Sequence, residues 1–228
     1  DGSDWGIYAQ RFNADGTRDG QEFLVNTLTD STQTYPSIAG LSDGGYVIAW
    51  QTYTGADSDN SGYGIAGQRY DASGNAVGGE FLINGVGYQD QTQVTLVAAP
   101  DGGFVVAWTS YQADGSSNGV VARRFDAQGN ATEPYGDDVL VNTYSLGDQS
   151  GPAIAMLDRG FVAVWHSQTQ DGNGYSIEMQ RFQGQGLEPP PLIVDAAHGG
   201  DNANDLIFST LQEALDAAED GDTVILKG

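Results

Sequence analysis

The sequence predicts an all-β fold of repeated four-stranded units, the pattern of β-propeller blades. Two repeated blocks and the composition predict it. A turn Asp-Gly-Gly-aromatic, followed by an apolar run ending in Trp, spans Asp43 to Trp50 and Asp101 to Trp108. It returns as Asp-Arg-Gly-Phe from Asp158 to Trp165, so the Trp spacings are 58 and 57 residues. A second block, Gly6-Ile7-Tyr8-Ala9-Gln10-Arg11-Phe12, recurs at 64–70, 119–125 and 176–182 and carries Arg11, Arg69, Arg124 and Arg181. Gly supplies 33 of 228 residues, about twice its usual ~7 % share, as a chain of many tight turns requires. Four short strands every 57 residues or so fit a blade. A row of small β-sandwiches is the runner-up, disfavoured because one such unit has little core of its own.

Within a unit the elements follow in order. Strand one covers residues 37–41 and is entered by a Pro in two copies, Pro36 and Pro152. The Asp-Gly-Gly turn leads into strand two at 46–50, rich in the residues that favour strands. A longer acidic loop precedes strand three at 65–70. The turn Asp71-Ala72-Ser73-Gly74-Asn75 has the Asp, Gly and Asn of a hairpin connection. Strand four is Phe81 to Asn84, repeating Phe23-Leu24-Val25-Asn26 and matched again at 139–142.

Residues 1–182 therefore divide into a partial unit at 1–27, whole units at 36–85 and 94–142, and a partial unit at 152–182. Ring closure would need upstream repeats, a blade shared between the two ends, or a second chain; upstream repeats are the expectation, because the sequence begins in mid-unit. Residues 183–191, ending in Pro189-Pro190-Pro191, read as a stiff linker. Residues 192–228 read as the start of another domain: a strand at 192–194, a helix capped by Ser209 and Gln212 with Leu211, Ala214, Leu215 and Ala218 on one face, and a strand at 223–226. A chain beginning at Asp1 reads as a processed product or an excerpt.

Charge narrows the partners. The chain has 31 acidic and 8 basic residues, a formal charge of −23. Nucleic acid and anionic membrane surfaces both demand clustered Lys and Arg. Cysteine is absent, which removes disulfides and thiolate metal sites. No apolar run reaches the ~20 residues of a membrane-spanning helix.

The acidic loop before strand three is the candidate binding site. Asp1, Asp59, Asp114 and Asp171 each stand ten residues before the repeated Arg. Near them lie Asp4, Asp57, Ser61, Asn118 and Asn173. Oxygen side chains at alternate positions in a Gly-rich loop suit a hard cation, so Ca²⁺ is the expected cofactor. The competing reading is that these residues only close the hairpin through side-chain to backbone bonds. The repeated Arg reads as structural, stacking on the repeated Trp and pairing with a turn Asp. His166 occupies the position of Gln51 and Thr109 and reads as a polar loop or strand-end residue; His198 lies in a Gly-rich loop. No nucleophile elbow, P-loop or His-Glu-x-x-His motif is present. A carboxylate pair for glycoside cleavage has no distinguishing signal among so many acids.

The blocks Gly-Ile-x-x-Gln-Arg-Phe and Asp-Gly-Gly-Phe-Val-Val-x-Trp resemble repeats of very large secreted bacterial surface proteins, often grouped with hemolysin-type (RTX) calcium-binding proteins and adhesins. The calcium-binding nonapeptide of true RTX domains is missing. Thr210 to Leu215 and Gly221 to Val224 resemble the N-terminal cap of a pectin-lyase-type right-handed β-helix. These resemblances imply a non-catalytic, extracellular structural or adhesive module, not itself an enzyme, whose partners are a glycan or another copy of the chain. The alternatives are an accessory propeller of a polysaccharide-active enzyme of lyase or epimerase type, and a self-assembling filament or matrix subunit.

Overall fold

The structure is a computed structural model. It describes residues 2, 4–30, 32–53, 62–85, 90–132, 138–157, 160–168, 170, 172 and 174–182, and the strand backbone at 192–195, 207–208 and 224–227. The described residues are strands, turns and connecting segments, with no helix.

Four antiparallel sheets follow one another along the chain. Sheet one holds β1 (Tyr8–Phe12) and β2 (Arg18–Leu24). Sheet two runs β3 (Thr32–Gly40), β4 (Tyr46–Tyr53), β5 (Gly64–Tyr70) and β6 (Ala76–Leu82) in simple meander order. Sheet three repeats it with β7 (Gln91–Ala98), β8 (Phe104–Tyr111), β9 (Asn118–Phe125) and β10 (Val139–Leu140). Sheet four has β11 (Gln149–Leu157), β12 (Gly160–Gln168) and β13 (Tyr175–Phe182). The first strands of sheets two, three and four are inner edges, β7 packing against both β3 and β11. Four-stranded repeats arranged this way fit a propeller.

The two glycines of the Asp-Gly-Gly turn serve different needs. Gly44 and Gly102 take the left-handed backbone, at φ of 83° and 89°, which a side chain resists. Gly45 and Gly103 have no room for a Cβ, which would strike the carbonyl oxygens of Tyr70 and Phe125. The preceding Asp holds the turn twice. Asp43 accepts the Gly45 amide at 2.8 Å and pairs with Arg69; Asp101 does the same with Gly103 and Arg124. The expected ion pair is thus present.

The expected Arg-on-Trp stacking is not. Arg69 faces Val47 across the ladder while Trp50 faces Ala66. Trp50 lies three positions after Val47, an odd offset, so strand parity sends Arg and Trp to opposite sides of the sheet.

Parity also builds the core. Sheet one presents Ile7 and Val25 to Ile48, Trp50, Ala66 and Tyr70 of sheet two. The other side of sheet two presents Val47, Ala49, Ile65 and Ile83 to Phe104, Val106, Trp108, Val121 and Phe125 of sheet three. Sheet three then presents Val105, Ala107, Val120 and Ala122 to Phe161, Ala163, Trp165 and Phe182 of sheet four. Each sheet has a leading face toward its successor and a trailing face toward its predecessor. Middle strands buried on both sides lose the usual polar alternation: β4 and β8 are continuous apolar runs through Trp.

Two predicted boundaries shift. Strand one begins at Thr32, and Pro36 and Pro152 lie inside it rather than at its start. Each Pro sits in a bulge, where the strand runs three residues past two of its partner, so its missing N–H costs no ladder bond. Strand four begins at Ala76, because the hairpin zips directly from its turn.

Beyond Phe182 the described residues form one parallel sheet of β14 (Leu192–Asp195), β15 (Ile207–Phe208) and β16 (Val224–Lys227), in the order β15-β14-β16. The two predicted strands are there. Three strands of two to four residues do not support the β-helix cap, since any parallel fold contains such a sheet. The predicted helix at 209–218 and His198 lie outside the described residues.

Candidate functional site

The polar residues that the repeats place together fall at one end of the sheets, where strand two gives way to the acidic loop. Two constructions stand there, a latch between sheets and a row along the inner strands.

The latch joins the last residue of one unit to the first of the next. Asn84 accepts the Ile65 amide at 2.8 Å through Oδ1 and donates through Nδ2 to Gln91 Oε1 at 3.4 Å. Asn26 accepts from Ile7 and donates to Gln33; Asn142 accepts from Val120 and donates to Gln149. All six side chains are buried. Asp90 and Asp148, next to two of these glutamines, accept the Tyr63 and Asn118 amides. Sequence reading caught the Asn and missed the Gln. The signal was present as Asn and Gln seven apart at 26 and 33, 84 and 91, 142 and 149.

The row lies on the inner strands. Each bulge places one residue in the left-handed region: Tyr35 at φ 51°, Gln93 at 56° and Gly151 at 65°. A bulky residue there costs of order 1–3 kcal/mol and persists only where its surroundings impose it. The neighbouring strand contributes Gln51, Thr109 and His166 at the rung beside each bulge. The Gln93 amide donates to Gln51 Oε1 at 2.9 Å. The Thr109 hydroxyl donates to Gln93 Oε1 at 2.8 Å, and the Gly151 amide reaches the same Oε1 at 2.9 Å and Thr109 Oγ1 at 3.0 Å. The chain of bonds crosses three sheets. Tyr35 stands 71 % exposed at one end and His166 is exposed at the other. His166 is therefore a residue within β12, opposite Ile177, and not a strand end. Sequence reading aligned Gln51, Thr109 and His166 but took Pro36 and Pro152 as strand starts and so missed the bulges beside them.

Of the residues proposed for Ca²⁺, Asp1, Asp57, Asp59, Ser61, Asp171 and Asn173 lie outside the described residues. In the third unit Asp114 accepts the Ser116 amide at 3.0 Å and Asn142 Nδ2 at 2.9 Å. Asn118 donates to Asp148 at 2.9 Å. Asp4 stands 3.4 Å from the Thr32 hydroxyl. Among the described residues no three His, Cys, Asp or Glu side chains gather as a metal group. The bonds seen at Asp114 are those of a closed hairpin tied to the latch.

No family model and no curated protein matches the chain. Solved structures do. A thermostable family-43 glycoside hydrolase aligns with a TM-score of 0.47 and 11 % identity, over 69 % of this chain and 52 % of that one. The endo-arabinase of Bacteroides thetaiotaomicron gives 0.45 and 13 %, over 76 % and 68 %. The Penicillium chrysogenum α-L-arabinanase complexed with arabinobiose gives 0.46 and 16 %, over 67 % and 46 %. The chain spans about half the length of the first of these. These findings correct the expected kinship: the matching structures are glycoside hydrolases, not RTX-type surface proteins or pectin-lyase-type β-helices. The expectations of a non-catalytic adhesive module and of a chain that is not an enzyme fall with it. The repeated blocks consist of turn, packing and ion-pair residues, so they specify a sheet and carry no mark of activity.

Proposed function

We propose that the chain is a β-propeller module of a secreted polysaccharide-active enzyme, engaging a neutral glycan across the inner-strand row. The observation that carries this reading is the row itself. Tyr35, Gln51, Gln93, Thr109, Gly151 and His166 are set out by repeated strained bulges, and bulges commonly re-aim side chains beside binding sites. An exposed phenol ring offers an apolar face to the C–H surface of a sugar. The exposed Gln93 amide and His166 imidazole offer donors and acceptors to its hydroxyls, while Gln51 and Thr109, both buried, hold Gln93 from behind. No carboxylate belongs to the row, so it binds and orients. A carboxylate pair for glycosidic cleavage would come from residues outside the row. The charge of −23 selects against polyuronates, which it repels.

Calorimetric titration tests this with two neutral polymers, arabinan and xylan, and with polygalacturonate as control. The expected result is binding to a neutral polymer, none to polygalacturonate, and at least tenfold weaker binding in Tyr35→Gly. Reducing-end release is measured on the same samples. Failure of every neutral polymer to bind, or binding untouched by Tyr35→Gly, overturns the reading.

A further inference from the structure

The repeated Trp is buried at every junction between sheets, and each time its indole N–H lacks a partner. Trp50 and Trp108 are 0 % exposed and Trp165 4 %. Among the described residues none offers a hydrogen-bond acceptor to any of the three Nε1 atoms. Roughly nine in ten buried polar groups in proteins are paired. The same orphan at the same position in three sheets is therefore a built feature of the repeat. Its surroundings repeat as well. Each Trp lies on the trailing face of its sheet, packed with the sheet before it. Two residues earlier on that face stand Ile48, Val106 and Ala163, whose side chains accept nothing. Two residues later stand the hydroxyls of Thr52, Ser110 and Ser167, directly opposite the latch glutamines Gln33, Gln91 and Gln149. Thr52 Oγ1 is itself buried without a partner. On the inner-strand side each Trp faces a bulge, formed by Tyr35-Pro36, Gln93-Val94 or Gly151-Pro152. There two residues oppose one and the ladder bonding is interrupted.

We propose that each of the three junctions binds one internal water molecule, which accepts the indole N–H and donates to the hydroxyl two residues along the strand. The groups common to the three sites are uncharged, and the apolar core closes them on one side. An orphaned donor beside a hydroxyl in such a place needs a ligand that is small and both donor and acceptor, which is water. At the first junction one molecule satisfies Trp50 Nε1 and Thr52 Oγ1 together. At the third, Ser167 Oγ donates to Gln170 Oε1 at 2.9 Å and keeps its lone pairs for the water, and Glu178 opposite Trp165 supplies a further acceptor. An internal water makes about three bonds, and the interrupted backbone of the bulge offers the third. The site also accounts for Trp rather than Phe at this position. Packing alone asks for a large ring, whereas the water uses the N–H.

An X-ray structure of the full chain, at a resolution that shows ordered solvent, should place a water within about 3 Å of all three Nε1 atoms. Urea unfolding of Thr52→Val adds a test of sign. Where the hydroxyl shares a water with Trp50, the exchange strips that water of a partner and the urea midpoint falls. Where the hydroxyl is only an orphan, a methyl of nearly the same shape removes an unpaired polar group and the midpoint rises. Near-UV circular dichroism verifies that the variant is folded, and the X-ray result needs no variant. A fall in the midpoint and solvent at all three indoles support the proposal. Any one of the three indoles without solvent density overturns it, and so does a Thr52→Val chain as stable as the wild type or more so.

Discussion

Tyr35 and Gln93 stand at equivalent bulges with nearly the same left-handed backbone, yet their side chains are used differently. Gln93 Oε1 accepts from Thr109 and Gly151 and links sheet three to sheet four. Tyr35 is exposed. Gly151 occupies the third bulge, so the fold admits glycine there. Glycine at a positive φ relieves strain that a side chain suffers, against a loss of unfolded-state restriction. Tyr35→Gly should therefore raise stability, by about 1 kcal/mol. Gln93→Gly should lower it, because the acceptor shared by Thr109 and Gly151 is lost. Urea unfolding of both variants shows the signs directly. A stabilised Tyr35→Gly that also binds glycan more weakly would be a strained residue kept for its side chain, as the proposed site requires. If Tyr35→Gly is destabilised, the ring is held by packing and the strain argument fails.

Among the elements, the Asn–Gln latch explains why successive sheets keep one register, because it fixes the first rung of each new inner strand to the last rung of the old unit. Removing one partner leaves buried groups without bonds, at about 1–3 kcal/mol each. Asn84→Ala orphans the Ile65 amide and one bond of Gln91, so it should cost about 3 kcal/mol in urea unfolding. Asn130→Ala, at an exposed turn where it donates to Asp126, should cost under about 1 kcal/mol. Equal losses would mean the latch is not what couples the sheets. The same elements show how far the sequence could be read. Strand order, the turn glycines and the Arg–Asp pair follow from periodicity and turn chemistry, and all are present. The latch escaped because buried Gln is rare and hydrophobic periodicity ignores it. The bulges escaped because Pro36 and Pro152, which stand in two of them, were read as strand starts. The Arg–Trp stack was misread because the two were matched by recurrence, while ladder parity decides which face each occupies.

At the scale of the whole molecule, a charge of −23 on 228 residues opposes the compact state through self-repulsion. Lowering the pH from 7 toward the isoelectric point of about 4.1 removes that repulsion and adds stability. The turn carboxylates act the other way at lower pH. Asp71 is held below the usual carboxylate value of 3.8 by bonds from the Asn75 side chain and amide, and Asp15 by bonds from Thr17. For Asp126 burial pushes upward, but the bonds from Asn130, Gln128 and Gly129 together bring it below 3.8. A carboxylate depressed by folding contributes fully above its unfolded value and loses that contribution as pH falls through its folded value. Tyrosine sets the alkaline limit. Burial, with Tyr46 and Glu80 nearby, pushes the Tyr70 phenol up to about 12 from 10.0, and burial also raises Tyr46. Their stabilisation is complete below 10 and disappears as pH rises through the folded values. Thermal melts should therefore peak between about pH 4 and 5, not at neutrality, with a steep acid edge below and a second decline above about pH 10. Added salt should raise the melting temperature at pH 7 and change it little near pH 4, where the charge it screens has gone. A maximum at neutral pH with no salt response would mean that the acidic residues are neutralised in the folded state by something other than protons, and would return attention to bound cations in the acidic loops.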